Sequence, residues 1–184
     1  ISKNEMMLMD FGVRWMTMHA DITRTFPVSG KFNPMQKMLY EIVLKGQKEV
    51  EKAARAGVTV EELNEVCWRV GNDGMKNKFS AAGGKFKLRY NERPHGVSHL
   101  MGEQEHDGDP FRNYASQPMK AGWMISNEPG LYGEFKIRLN GKTYDETIGI
   151  RIEDNLVMTQ KGCLNLSSII PKSVREIERL MAGG

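Results

Sequence analysis

At 184 residues and 40% hydrophobic content, the chain can bury one sizeable core, so a single compact domain is the expectation. A formal charge of +3, with 26 basic and 23 acidic residues intermingled, leaves no basic arm to track phosphates and excludes nucleic acid as the expected partner. No apolar run approaches the roughly 18 residues that cross a bilayer, and no basic start followed by an apolar stretch marks a secretion signal. The expectation is a soluble, cytoplasmic protein without a membrane partner. Cys67 and Cys163 are too few for a disulfide framework and read as reduced thiols.

The chain opens on Ile1, not Met, and alternates like a strand within its first ten residues, so it reads as beginning mid-protein. Residues 5–11 (EMMLMDF) and 15–26 (WMTMHADITRTF) form two predicted strands of a hairpin, joined across Gly12, Val13 and Arg14. Asn33-Pro34-Met35-Gln36 then combines an N-cap, a proline at the first helical position and a capping-box glutamine. The helix it opens keeps Met35, Met38, Leu39, Ile42, Val43 and Val50 on one face up to the stop at Gly57. Thr59 with Glu62 opens a second helix with Val60, Leu63, Val66, Cys67 and Val70 inward. A Gly-rich basic stretch, the segment PHGVSHLMGEQEHDGD, a strand over 122–132, a polar loop and a strand over 147–158 follow. Ser173 with Glu176 caps a closing helix. Hairpin, helices, then strands is an α+β order, not the alternation of a parallel sheet.

Four acids stand out because each interrupts apolar strand sequence: Asp10 in MMLMD, Asp21 in ADITRTF, Glu128 in MISNEPGLY and Glu153 in IGIRIED. Asp10 and Asp21 lie on the two arms of the hairpin, where a pleated pair can turn both to one face, and Glu128 and Glu153 are expected on the two later strands in the same manner. Four partly desolvated carboxylates together would repel one another and take up protons. Two divalent cations remove that conflict, and four carboxylates with one imidazole, His99, form a ligand set suited to Mn²⁺, Co²⁺ or Zn²⁺.

The stretches DFGVRWMTMHADITRTFPVSGKF, PHGVSHLMGEQEHD, SNEPGLYG and IGIRIEDNLVMT, with the tail LNLSSIIPKSVREIERLM, resemble peptidase family M24 in its Xaa-Pro aminopeptidase and prolidase branch. The resemblance implies a pita-bread fold, a curved antiparallel sheet covered by helices, with residues 1–184 as the catalytic domain lacking its amino-terminal part. It implies that Asp10 holds one metal, that Asp21 and Glu153 bridge the pair, and that His99 and Glu128 complete the second. Glu128 then serves as general base, His95 and His106 stand around the substrate carbonyl, and Arg151 sits beside the bridging glutamate. The implied activity is hydrolysis of the bond between an N-terminal residue and proline by a hydroxide bridging two metals, with Mn²⁺ favoured over Co²⁺ or Zn²⁺. The implied partner is a peptide with proline in second position, and the family pattern allows a homo-oligomer.

Ser98, between Val97 and His99, favours aminopeptidase over prolidase (Xaa-Pro dipeptidase). Glu103, Gln104 and Glu105 depart from the apolar residues the family places before His106, which bears on the substrate pocket and not on the metals. The charged loop from Gly133 to Thr147 reads as a solvated excursion near the site. Arg24 is expected to hold local carboxylates. Two other readings keep the fold: C–N hydrolysis of a small zwitterion as in creatinase, and a pseudoenzyme serving as an interaction module.

Overall fold

A computed structural model describes residues 2–183. Strands β1 (Met6–Trp15) and β2 (Met18–Pro27) form an antiparallel hairpin. Its turn is Met16-Thr17, with Met16 at φ 52, and not the predicted Gly12–Arg14. Gly12 instead sits within β1 opposite Asp21, where a Cβ would lie 2.1 Å from the Ala20 carbonyl oxygen. Glycine is thus required there for close backbone approach, the alternative meaning of a glycine inside a strand.

Helices α1 (Pro34–Ala53) and α2 (Val60–Gly74) open on the predicted capping boxes, with side-chain and backbone halves both made at Asn33/Gln36 and Thr59/Glu62. Each cap of this kind contributes about 1 kcal/mol. A π-helical turn, Met75–Ser80, continues α2 into β3 (Lys85–Leu88). The short strand β4 (Leu100–Met101) precedes β5 (Met124–Asn127), β6 (Gly130–Leu139), β7 (Lys142–Arg151), β8 (Asp154–Met158) and β9 (Cys163–Asn165), and α3 (Val174–Met181) closes the chain behind the Ser173/Glu176 box.

The predicted polar loop 133–147 is a hairpin. Asn140 and Gly141, both at positive φ, turn β6 back along β7, while Phe135 and Ile137 point to the core and Glu134, Lys136 and Arg138 to water. Asn-Gly at positive φ is the favoured two-residue hairpin turn.

The later strands form two sheets, β3-β6-β7 and β4-β5-β8-β9. Between β5 and β8 the chain changes sheet twice, from β5 to β6 at Glu128-Pro129 and from β7 to β8 at Ile152-Glu153. Neither glutamate lies within a strand, contrary to the sequence expectation; both occupy the seam where one sheet gives way to the other. Helix α1 crosses that seam. Its first half packs Met35, Leu39, Ile42 and Val43 on Phe135, Ile137, Ile148 and Ile150. Its end packs Val50 with α2 and with Ile125, Leu156 and Met158. Two apolar clusters thus fix both sheets to one helix, which sets the geometry of the seam.

Candidate metal centre

In the first hairpin Asp10 pairs with Thr23 and Asp21 with Gly12, so the two aspartates are diagonal neighbours on one face. Asp21 is buried, while the Asp10 side chain is 44% exposed. The Asn155 side chain fixes Asp21 through its backbone, accepting from its N–H (3.1 Å) and donating to its C=O (2.6 Å). The Glu153 N–H donates to the Thr23 carbonyl at 3.0 Å, tying the seam to β2.

Four of the five predicted ligands meet. His99 Nε2 lies 3.6 Å from Asp21 Oδ2 and 3.2 Å from Glu128 Oε1. Ligand atoms of Asp21, His99 and Glu153 fall within 4.8 Å of one another, and all three residues are buried. Asp10 joins through Thr23, whose hydroxyl lies 3.1 Å from Asp10 Oδ1 and 2.7 Å from Glu153 Oε2 and can donate to one of them. Arg151 donates to the same hydroxyl at 3.0 Å and ion-pairs with Asp10, so Thr23 stands between it and Glu153. Ser126 links His99 to Glu128, accepting from the His99 N–H at 2.9 Å and donating to Glu128 Oε1 at 3.1 Å.

The two non-ligand histidines differ. His106 is exposed, with its ring 4.2 Å from that of His99 centre to centre. His95 is half-buried, with Nδ1 2.9 Å from the Gly96 carbonyl oxygen, Nε2 3.1 Å from the Tyr132 hydroxyl, and Nδ1 4.0 Å from Glu128 Oε2. Both line a cavity of about 450 Å³, with Tyr90, Arg112, Tyr132 and Arg151 on its other walls.

Electrostatics of this cluster fit a cation. Burial, and then the charge of Glu128, push Glu153 up to about 8. Burial works against a charged His99, yet hydrogen bonds to Asp21 and Glu128 outweigh it and push the ring up to about 10. The His99 hydrogen bond holds Asp21 low; at Glu128 burial acts upward, but the same imidazole overcomes it and the net direction is down. Without metal the site therefore balances its acids by retaining protons. Glu153 Oε1 is buried with no hydrogen-bond partner among the described residues. A buried carboxylate oxygen facing two further donor side chains suits a divalent ion, which binds as the protons leave.

Behind the seam lies a second ionic cluster. Asp154, fully buried, accepts from Arg24 at 2.7 Å, from Gln47 at 2.8 Å and from Asn165 at 2.8 Å, and it pairs with Lys172. Arg24 also donates to the Glu153 carbonyl oxygen. As expected from sequence, Arg24 serves carboxylates, and it holds the backbone of Glu153 in place. Thr23, Ser126, Tyr132 and Asn155 were not singled out by sequence reasoning. For Thr23 a signal existed, since it lies two residues from Asp21 and so shares its face.

Antiparallel sheets under helices, with carboxylates and one imidazole converging at a seam, are the arrangement of the pita-bread fold. Residues 1–160 match metallopeptidase family M24, and the chain belongs to that family. It is similar to the Xaa-Pro aminopeptidase of Haemophilus influenzae, 31% identical over 98% of this chain and 43% of the relative. Among solved structures it is similar to Saccharomyces cerevisiae Icp55 (29% identity, TM-score 0.83, 100% of this chain and 46% of that one). It also resembles Pseudomonas aeruginosa aminopeptidase PepP (30%, TM-score 0.79, 99% and 42%). The chain thus spans less than half the length of these relatives.

Proposed function

We propose that this chain carries the dinuclear centre of an Xaa-Pro aminopeptidase. The observation that carries the reading is the buried Glu153 carboxylate, with one unpartnered oxygen, set among Asp21 and His99 at the sheet seam. Asp10, Asp21 and Glu153 would hold one cation, and Asp21, Glu153, His99 and Glu128 the other. Two divalent ions, Mn²⁺ favoured, supply an acidified water and a Lewis acid for the scissile carbonyl when bound. Glu128 takes the proton of the attacking water and delivers it to the leaving proline nitrogen. His106, exposed at the cavity, donates to the carbonyl oxygen as negative charge develops. Arg151 and Thr23 hold Asp10 and Glu153 in position. The cavity of about 450 Å³ is large enough for a short peptide and lies inside the usual range for small-ligand sites.

A second reading, a peptidase of this family that does not require proline, is suggested by the likeness to the mitochondrial Intermediate cleaving peptidase 55 of Arabidopsis thaliana, whose name refers to no proline. Tripeptides with and without proline in second position, given to the complete Mn²⁺-loaded protein, separate the two. Xaa-Pro-Xaa is expected to be cleaved, with Glu128→Gln slower by roughly 10²- to 10⁴-fold. Turnover of Xaa-Pro dipeptides alone moves the assignment to prolidase. A metal-loaded protein that cleaves none of these points to the interaction module.

A further inference from the structure

Of the two cavity histidines outside the proposed ligand set, His95 is the one with hydrogen-bonding protein atoms at both ring nitrogens, among the described residues. The Gly96 carbonyl beside Nδ1 can only accept, so Nδ1 carries a proton. In the neutral ring Nε2 is then a lone pair, and the Tyr132 hydroxyl must donate to it.

Gly130 supplies an independent observation. Its backbone is not in the left-handed region, so conformational freedom does not explain it. A Cβ there would lie 2.5 Å from the Tyr132 hydroxyl and 2.7 Å from His95 Nε2, on the contact itself. Gly130 and Tyr132 lie on the same face of β6, two residues apart, and the missing side chain leaves room for the hydroxyl to meet the ring.

We propose that Tyr132 is a positioning residue that locks His95 in its Nδ1–H tautomer, and that Gly130 is a glycine in order to admit that contact. The consequence follows from which edge of the ring remains available. His95 presents only an N–H toward Glu128 Oε2, 4.0 Å away, and its basic nitrogen is turned aside. With its one N–H given to the Gly96 carbonyl and its lone pair to Tyr132, the ring cannot compete with Glu128 for the proton of the attacking water. This role rests on the peptidase reading above; the tautomer itself does not.

The test uses the complete protein with ¹⁵N-labelled histidine and diamagnetic Zn²⁺. Two-bond ¹⁵N–¹H spectra of the wild type should place the His95 proton on Nδ1. In Tyr132→Phe that single tautomer should be lost, and kcat on an Xaa-Pro-Xaa peptide should fall about 10- to 100-fold, the usual loss when a partner orienting a functional histidine is removed, with KM held. Gly130→Ala should reproduce both effects. A wild-type proton on Nε2, or a folded Tyr132→Phe that keeps the Nδ1 tautomer and full kcat, overturns the proposal. If no peptide is hydrolysed the peptidase reading fails, while the wild-type spectrum still decides the tautomer.

Discussion

Glu153 and Asp10 are proposed to hold the same metal pair, yet the protein supports them in opposite ways. Glu153 is 1% exposed, its backbone is tied to Thr23 and Arg24, and Asp154 behind it is bound by two cations and two amides. Asp10 stands on β1, whose one partner is β2 and whose opposite face exposes Met9, Phe11, Val13 and Trp15. Its carboxylate is held by one hydroxyl and one half-exposed ion pair. The seam acid is thus part of the fold, while the hairpin acid is an attachment to it. Removing the support behind the first should destabilise the fold, and removing the second should cost metal with little loss of stability.

The largest effect is expected at the seam. Asp154→Ala strands Arg24 and Lys172 without their carboxylate, and loss of one partner of a buried pair costs about 3–5 kcal/mol. Urea unfolding of the variant should show a loss of that size; a loss below about 1 kcal/mol, the ceiling for ordinary surface pairs, would remove the distinction between the two regions.

A smaller effect separates metal-free from metal-loaded protein. Glu153 in the folded state keeps a proton that the unfolded chain releases near 4.5, so its contribution is present below that pH and is lost as pH rises toward about 8. His99 works in the same direction, its contribution complete below 6.5 and lost toward about 10. Asp21 and Glu128, held low, act only in the acid range below 3.8 and 4.5. Chelator-treated protein should therefore lose melting temperature steadily from about pH 5 to about pH 9, and Mn²⁺ should flatten the slope because it binds the deprotonated groups. An equally flat profile without metal would contradict this account of the site.

Asp10→Asn should have the mildest effect on the fold, since exposed or half-exposed ion pairs are worth about 0–1 kcal/mol. Calorimetric titration of the same variant should nonetheless show weakened binding of one Mn²⁺. A variant that melts much earlier while binding both ions normally would reverse the roles assigned to hairpin and seam.

How much of this was legible in the sequence depended on whether the information was local. Asn33, Thr59 and Ser173 each announce a helix through a glutamine or glutamate three residues on, and all three capping boxes form. The acids were legible as a group because charge in apolar strand sequence demands compensation. Their exact support was not. Glu128 and Glu153 occupy the switch between two sheets, a property of pairings among distant strands that no local pattern carries. Gly12 imitates a turn glycine, and only the approach of Ala20 across the ladder reveals its purpose. The β6–β7 hairpin hid behind its charges, although Phe135, Ile137 and Leu139 alternate with Glu134, Lys136 and Arg138 ahead of Asn140-Gly141. Tyr132 gained its role from an imidazole 37 residues away in the chain.

The most direct measurement is anomalous scattering from crystals of the complete protein saturated with Mn²⁺. Two peaks between Asp10, Asp21, His99, Glu128 and Glu153 are predicted. Density for no ion there, or for manganese held elsewhere in the molecule, would contradict the assignment of a dinuclear centre to this seam.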